Sequence, residues 1–403
     1  MTPAERRASS TLASIYGLRM LGLFFILPVF SIYAEHLPHG HDKFLVGLAL
    51  GIYGLTQAVL QIPFGVASDR FGRKPVMVFG LLIFAIGSFV AGASDNLYLI
   101  IIGRAIQGAG AISAAISAMI ADSTRDQHRT KAMAMVGMTI GFSFILSLVL
   151  GPPIYHAISV PGMFDLTGIL ALLAIAVIIW VVPAAPMTTH SEEVQGHWAK
   201  AVFTPALLKL DFSIFVVNFR QVSMFVVVPV ALVKYADIPL LHHWMVYLPV
   251  TLISFAVSIP GIIYAEKHGY MKPVFVGGVA LLVLTMLGFA AGYKNPVALI
   301  AALFFFFLSF NLMEALLPSL VSRTAPANRK GLAMGVYNTG QSLGLFVGGA
   351  VGGWLSQYSS EDVFFVAAAL AALWLLVSFT IQPPPNRHKP AEADAASAQP
   401  QNA

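Results

Sequence analysis

Twelve apolar stretches occupy this chain almost end to end, at residues 12–34, 44–67, 75–93, 96–120, 131–155, 163–182, 209–234, 242–265, 273–293, 297–321, 330–356 and 361–381. Each is long enough to carry a helix across a bilayer, which takes about 20 residues. Inside lipid every backbone N–H and C=O must find its partner within the protein, so such segments have one regular solution, the α-helix. The expectation is an all-α integral membrane protein with twelve transmembrane helices. Composition agrees: 58% of the 403 residues are hydrophobic and 10% charged, where soluble domains average about 25% charged.

Lys and Arg set the orientation, because basic flanks are held on the cytoplasmic side while acidic residues contribute little. With the amino terminus inside, most of the 23 basic residues fall on cytoplasmic segments; Lys43, Lys234 and Lys294 fall on outer loops, and Arg19, Arg104 and Arg220 lie within spans. The reading is a multi-pass protein of a bacterial-type inner (plasma) membrane with both termini cytoplasmic. The formal charge of +5 follows from this topology and calls for no nucleic acid; the basic loops instead meet head groups of the lipid bilayer. Arg6 and Arg7 ahead of an apolar run have the look of a secretory leader. Arg19 interrupts that run and no small-x-small cleavage site follows, so the segment reads as span 1. The chain has no cysteine, which rules out disulfides and thiolate chemistry.

A polar, proline-flanked break from 183 to 205, carrying His190, Glu192, Glu193 and His197, separates spans 6 and 7. It gives a six-helix bundle at 1–182, a cytoplasmic linker at 183–208, a second six-helix bundle at 209–381 and a tail at 382–403, whose Pro, Ala and Gln content predicts disorder. Residues 118–134 run weakly parallel to 319–334, as an internal repeat would.

Between spans 2 and 3 stand Gly65, Asp69, Arg70, Gly72, Arg73 and Lys74 in the pattern G-x-x-x-D-R-x-G-R-K. A degenerate echo, Glu266, Lys267, His268, Gly269 and Lys272, sits between spans 8 and 9. The first pattern resembles the signature loop of the major facilitator superfamily of transporters, with every fixed position filled. The resemblance covers residues 10–382 and is closest to the twelve-span drug:proton antiporter branch, similar to the YajR group of efflux proteins, which the stretches 52–69 and 311–319 also match. It implies two pseudo-symmetric six-helix bundles about a membrane-normal axis, alternating access, a monomer, and a small-molecule substrate held near the midplane. It also implies that Asp69 latches the halves in the outward-facing state beside the start of span 11, with Arg73 and Asp122 completing a charge relay; a helix amino terminus there favours the carboxylate. Longer members of the group carry a small soluble domain after span 12, which this chain is expected to lack.

Span 4 holds Gly103, Arg104, Gln107, Gly108 and Gly110, matching the family's R-x-x-Q-G-x-G. A charge at this depth costs several kcal/mol and must face a cavity or a partner. Arg104 and Gln107 are therefore candidates for proton coupling or substrate orientation, the alternative being an arginine bonded to backbone carbonyls. Arg19, Arg220 and Glu314, with Asn218, Gln221 and Asn311, place polar groups in spans 1, 7 and 10, which with span 4 line the cavity in the resembling family. Arg19 and Glu314 are each about seven residues from the cytoplasmic end of their spans, about 10 Å deep at 1.5 Å per residue, and are expected to meet. Glu314 is the one carboxylate well inside a predicted span, suited to binding and releasing a proton; the alternative is a structural carboxylate paired with an arginine. Gly151 and Pro152, followed by Pro153, resemble in part the glycine-proline motif of antiporters, although Tyr155 and His156 stand where paired glycines often follow. They predict a helix kink near the outer seal. Gly340, Gly344, Gly348 and Gly352 make a small-residue stripe on span 11, expected to pack against Gly47 and Gly51 of span 2.

His36, His39 and His41 with Asp42, and His242 with His243, fall on outer loops; a solvated loop is the expectation over a zinc site, so no metal is assigned. Tyr16, Phe24, Tyr53, Phe225 and Tyr337 are read mostly as packing. Three buried arginines against one glutamate favour neutral, zwitterionic or anionic amphiphiles over cationic dyes. No P-loop is present, and no nucleophile–base pair lies within the spans. The chain is thus read as a non-enzymatic secondary transporter without cofactors, driven by the proton gradient and exporting a small amphiphile. The alternatives are proton-coupled uptake of a sugar or metabolite, and a sensor that reuses the fold.

Overall fold

The computed structural model describes residues 1–182, 203–326 and 330–381. The tail at 382–403 and most of the linker at 183–208 lie outside the described residues. Thirteen α-helices and one short 3-10 turn make up the described chain, with no strand among the described residues. They are α1 (Pro3–Phe25), α2 (Phe30–Ala34), α3 (Lys43–Phe71), α4 (Arg73–Gly92), α5 (Leu97–Ala109), α6 (Ser113–Asp122), α7 (Asp126–Trp180), α8 (Pro205–Ala236), α9 (Trp244–His268), α10 (Met271–Gly292), α11 (Pro296–Thr324), α12 (Lys330–Ser356) and α13 (Ser360–Phe379). Nine helices among the described residues are long and apolar enough to cross a membrane. One of these, Met135–Trp180, is spans 5 and 6 joined. The other two spans fall short in hydropathy because α1 opens on Glu5, Arg6 and Arg7 and α12 is rich in Gly, Asn and Gln.

The twelve spans are recovered once three breaks are read correctly. Span 1 is α1 plus α2, interrupted before Pro28, whose ring cannot continue a helix. Span 4 is α5 plus α6, parted at Gly110. Spans 5 and 6 turn back at Ser159, whose φ of 59° is the non-helical point within α7, two residues before Pro161. Span 1 starts well before residue 12 because Thr2 and Glu5 form a capping box: the Glu5 amide donates to Thr2 Oγ1 at 3.2 Å and the Thr2 amide donates to Glu5 Oε2 at 2.6 Å, an arrangement worth about 1 kcal/mol. The Arg125 guanidinium bonds the same carboxylate at 2.8 Å and holds it well below the usual carboxylate range. Asp42, Asn96, Asn295 and Ser359 cap the helices that start at the opposite end of the bundle.

The turn after α3 and the turn after α9 share a device. Gly72 (φ 94°) and Gly269 (φ 78°) are the glycines with positive φ among the described residues, so the echo seen in the sequence between spans 8 and 9 keeps a glycine where the turn needs a positive φ, although ψ differs, 150° at Gly72 and 14° at Gly269.

Helices 1 to 6 of the span order pack on one another, chiefly span 1 on α7 and span 3 on α5 and α7; spans 7 to 12 do likewise, chiefly span 7 on spans 11, 10 and 12 and span 9 on spans 10 and 12. The end carrying the Asp69–Lys74 turn, Arg125 and Lys209 is the basic end. Contacts joining the two sets concentrate at the opposite end and the middle. Gly47 and Gly51 of span 2 lie against the backbone of Gly349, Gly353 and Phe346 in span 11 so closely that a Cβ has no room. Ser31 of span 1 donates to the Phe225 carbonyl of span 7 at 2.9 Å, and Phe144 of span 5 packs edge-on against Phe225 and tilted against Phe307 and Phe310. At the basic end three bonds stay within one set: Arg73 to Asp122, Lys74 to the Val182 carbonyl, Lys209 to the Thr380 carbonyl. A Cβ on Gly65, Gly331 or Gly335 meets at most ordinary contact there. The bundle is closed at the end away from the basic turn and open at the basic end.

The glycine stripe of span 11 corrects an expectation. Gly340, Gly344, Gly348 and Gly352 face the backbone of Asp211, Phe215, Phe219 and Ser223 in span 7; Gly47 and Gly51 are met by the next register, Gly349 and Gly353. Span 11 is thus flat on two sides, one for its own half and one for span 2.

Candidate functional site

At the basic end, Gly72 lets the chain turn directly from α3 into α4, which aims Arg73 back across the turn. Its Nε donates to Asp122 Oδ2 at 3.0 Å, its Nη1 to Ser68 Oγ at 2.7 Å, and the same nitrogen pairs with Asp69. Arg73 and Asp122 are largely covered, whereas the Asp69 side chain is 63% exposed. Arg70 lies over the Phe71 ring. Gly65 has only Ala114 within reach, at 3.5 Å.

In the first six spans two arginines share one tyrosine. Arg104 donates from Nε to the Ala49 carbonyl (3.2 Å), from Nη2 to the Leu50 carbonyl (3.2 Å) and from Nη1 to Gln107 Oε1 (2.9 Å). Gln107 in turn donates to Ser88 Oγ at 2.7 Å. The Arg104 guanidinium sits 5.1 Å from the Tyr53 ring centre and that of Arg19 sits 5.6 Å from it. Arg19 bonds Ser113 Oγ at 3.0 Å and the Tyr53 hydroxyl, and is flanked by Phe84. All donors of Arg104 that reach a partner serve span 2 and Gln107, the backbone-clamping geometry weighed for it in the sequence.

In the last six spans Glu314 accepts from Asn218 Nδ2 at 3.4 Å across spans 10 and 7, and Asn311, one turn earlier, donates to Ser254 Oγ of span 8 at 2.9 Å. The expected meeting of Arg19 with Glu314 does not occur: each is bonded within its own half, at similar depth but with different partners. Arg220 is not in the cavity either. It donates from Nε to the Val216 carbonyl at 3.0 Å and points at span 12, 5.4 Å over Trp374. Three arginines therefore do not converge on one glutamate, and the charge argument about substrate loses its geometric basis.

The helix stays regular through Gly151 and Pro152, and Gly151 lies against Phe25 and Pro28 at the break in span 1; the sharp change of direction comes at Ser159. Asp42 caps α3 and His39 packs edge-on against Tyr98. Two groups were missed. Asp211, near the start of span 7, has both carboxylate oxygens buried without a partner among the described residues. His243, read as a loop residue, is fully buried, and Tyr247 and Thr251 follow it inward. The i, i+4, i+8 spacing of these polar residues in an apolar span was the available signal.

A twelve-span helical bundle with polar and charged side chains held between its helices defines a membrane transporter. The sequence matches the Major Facilitator Superfamily model over residues 12–349 and again over 243–402, and the chain belongs to that family. It is 47% identical to the inner membrane transport protein YajR of Escherichia coli K12 over 96% of this chain and 85% of that one. It is 24% identical to the multidrug resistance protein MdtH of Shigella flexneri over 84% of each chain. The crystal structure of the human organic anion transporter MFSD10 (TETRAN) superposes with a TM-score of 0.70 at 16% identity, covering 94% of this chain and all of that one. The chain is a transporter and not an enzyme.

Proposed function

We propose that this transporter exports a small amphiphilic molecule in exchange for protons, with Glu314 as the group that takes up and releases the proton. The observation that carries the reading is the placement of Glu314: a carboxylate in span 10, reached among the described residues by the amide of Asn218 and by no arginine. A partly buried carboxylate with so little stabilisation of its charge is one that changes protonation with its surroundings. The likeness to MdtH, named for multidrug resistance, supports efflux.

The basic end is cytoplasmic in this reading, by the distribution of Lys and Arg, and the conformation is inward-facing. Asp69 is then a released latch. It stands exposed beside Arg73, and Gly65, with only Ala114 of its own half in ordinary contact, keeps a smooth helix surface for span 11 to close onto. Proteoliposomes with an imposed pH gradient and a mixed panel of amphiphiles test the reading. Wild type is expected to drive at least one compound against its gradient, and Asp69→Asn to reduce that flux about tenfold or more. Gradient-driven accumulation in the same direction as the protons would establish uptake instead; an Asp69→Asn protein at wild-type rate would remove the latch.

A further inference from the structure

Span 8 carries a column of polar side chains on one face of an otherwise apolar helix: His243, Tyr247, Thr251, Ser254 and Ser258. The first four are fully buried. At the inner end the column is bonded, Asn311 Nδ2 to Ser254 Oγ at 2.9 Å and Ser258 Oγ to the Leu308 carbonyl at 3.2 Å. At the outer end three successive groups, His243 Nδ1, the Tyr247 hydroxyl and Thr251 Oγ1, touch no hydrogen-bond partner. A buried polar group left dry is costly, so three in succession on one helix face are a feature to be explained.

The tautomer of His243 follows from its neighbour. Its Nε2 lies 3.2 Å from the Ile238 carbonyl, which can only accept; the neutral ring therefore has its hydrogen on Nε2 and a bare lone pair on Nδ1. That lone pair is a buried proton acceptor at the head of the column, with the His243 and Tyr247 rings 5.9 Å apart. One helical turn rises 5.4 Å, and one water making two hydrogen bonds of about 2.8 Å spans the same distance. A water between each pair would complete a chain from His243 to Ser254 and Asn311, and Asn311 is one turn from Glu314. The titratable and charged groups on the packed elements at this end are His242 on the turn, Tyr155 and His156 on span 5, Lys234, Tyr235 and Asp237 on span 7 and Tyr293 and Lys294 beyond span 9; Glu314 on span 10 lies at the other end of the column.

We propose that this column, His243–Tyr247–Thr251–Ser254–Asn311, is the path that carries protons from the outer face to Glu314. It is broken while the outer end is closed, as here, and is bridged by water when that end opens. The inference rests on the reading of Glu314 as the proton site. A proton bound at His243 Nδ1 leaves from that nitrogen into the first water, each water and the Tyr247, Thr251 and Ser254 hydroxyls pass on their own, and a last water hands its proton to Glu314 while the Asn311 amide, which relays no proton, holds Ser254 in place. The net change is one proton removed from the outer water and one O–H bond formed on Glu314. The break prevents a continuous leak through the inward-facing state.

Infrared difference spectra of membrane vesicles, right-side-out and everted, after a downward pH step in the medium, test this. The carboxylic-acid band that Glu314→Gln removes is the signal. In the double variant Tyr247→Phe with Thr251→Val, which removes both hydroxyls at nearly constant shape, the band is expected to rise at least tenfold more slowly in right-side-out vesicles and at the wild-type rate in everted ones. A merely structural effect would slow both or neither. Wild-type speed in right-side-out vesicles overturns the column. Absence of any band sensitive to Glu314→Gln overturns the proton site, and the column with it.

Discussion

Two buried arginines of similar depth have opposite prospects. Arg104 is bonded through three nitrogens, and its removal leaves the Gln107 amide oxygen without a donor inside the first six spans; a loss of about 1–3 kcal/mol is in keeping with one orphaned buried group. Arg220 keeps two guanidinium nitrogens without a partner against Trp374, and a buried charge so poorly compensated is often replaced by an apolar residue without cost. Thermal unfolding in detergent should therefore show Arg104→Leu several degrees below wild type and Arg220→Met level with it or above. A lower midpoint for Arg220→Met than for Arg104→Leu would reverse the assignment. Residue type alone could not separate the two, since both are arginines in the middle of apolar spans; the partners that decide the matter are carbonyls of span 2, some 55 residues away in sequence.

At the scale of the helix, span 11 works through its two flat sides. Gly348 rests on the Phe219 backbone of span 7, and Gly349 rests on Gly47 and Gly51 of span 2. A large side chain at 348 disturbs packing within one half, whereas at 349 it keeps the halves from closing at the outer end. The chain has no native cysteine, so Asp42→Cys with Gln357→Cys, whose parent side chains touch, reports that closure directly. The disulfide is expected to form about tenfold more slowly with Gly349→Leu and at an unchanged rate with Gly348→Leu, which instead lowers yield and melting temperature. Equal cross-linking in both would show that the outer contact does not depend on this register. The stripe was legible in the sequence, but its partner was not: a period of four places all four glycines on one face without saying which helix that face meets. The helix breaks were hidden for a related reason. Ser159 carries no marker of a turn beyond the nearby Pro161, and in lipid a break is stabilised by neighbours that the local sequence does not name.

For the whole molecule, the number of spans, the alternation of basic loops and the signature turn followed from hydropathy and charge, because a bilayer leaves few other solutions. The internal echo was legible too, down to Gly72 and Gly269, which both take a positive φ. What the sequence could not give was the conformational state and the separation of Arg19 from Glu314, both properties of how two helix sets meet. The account's central claim is that Glu314 couples substrate movement to protons. The most direct measurement compares two modes of transport in the same proteoliposomes, accumulation driven by a pH gradient and exchange at equal pH with substrate on both sides. Glu314→Gln is predicted to lose gradient-driven accumulation at least tenfold while retaining exchange, since the substrate path is intact and only the proton is lost. Accumulation that persists at the wild-type level in Glu314→Gln would contradict the claim.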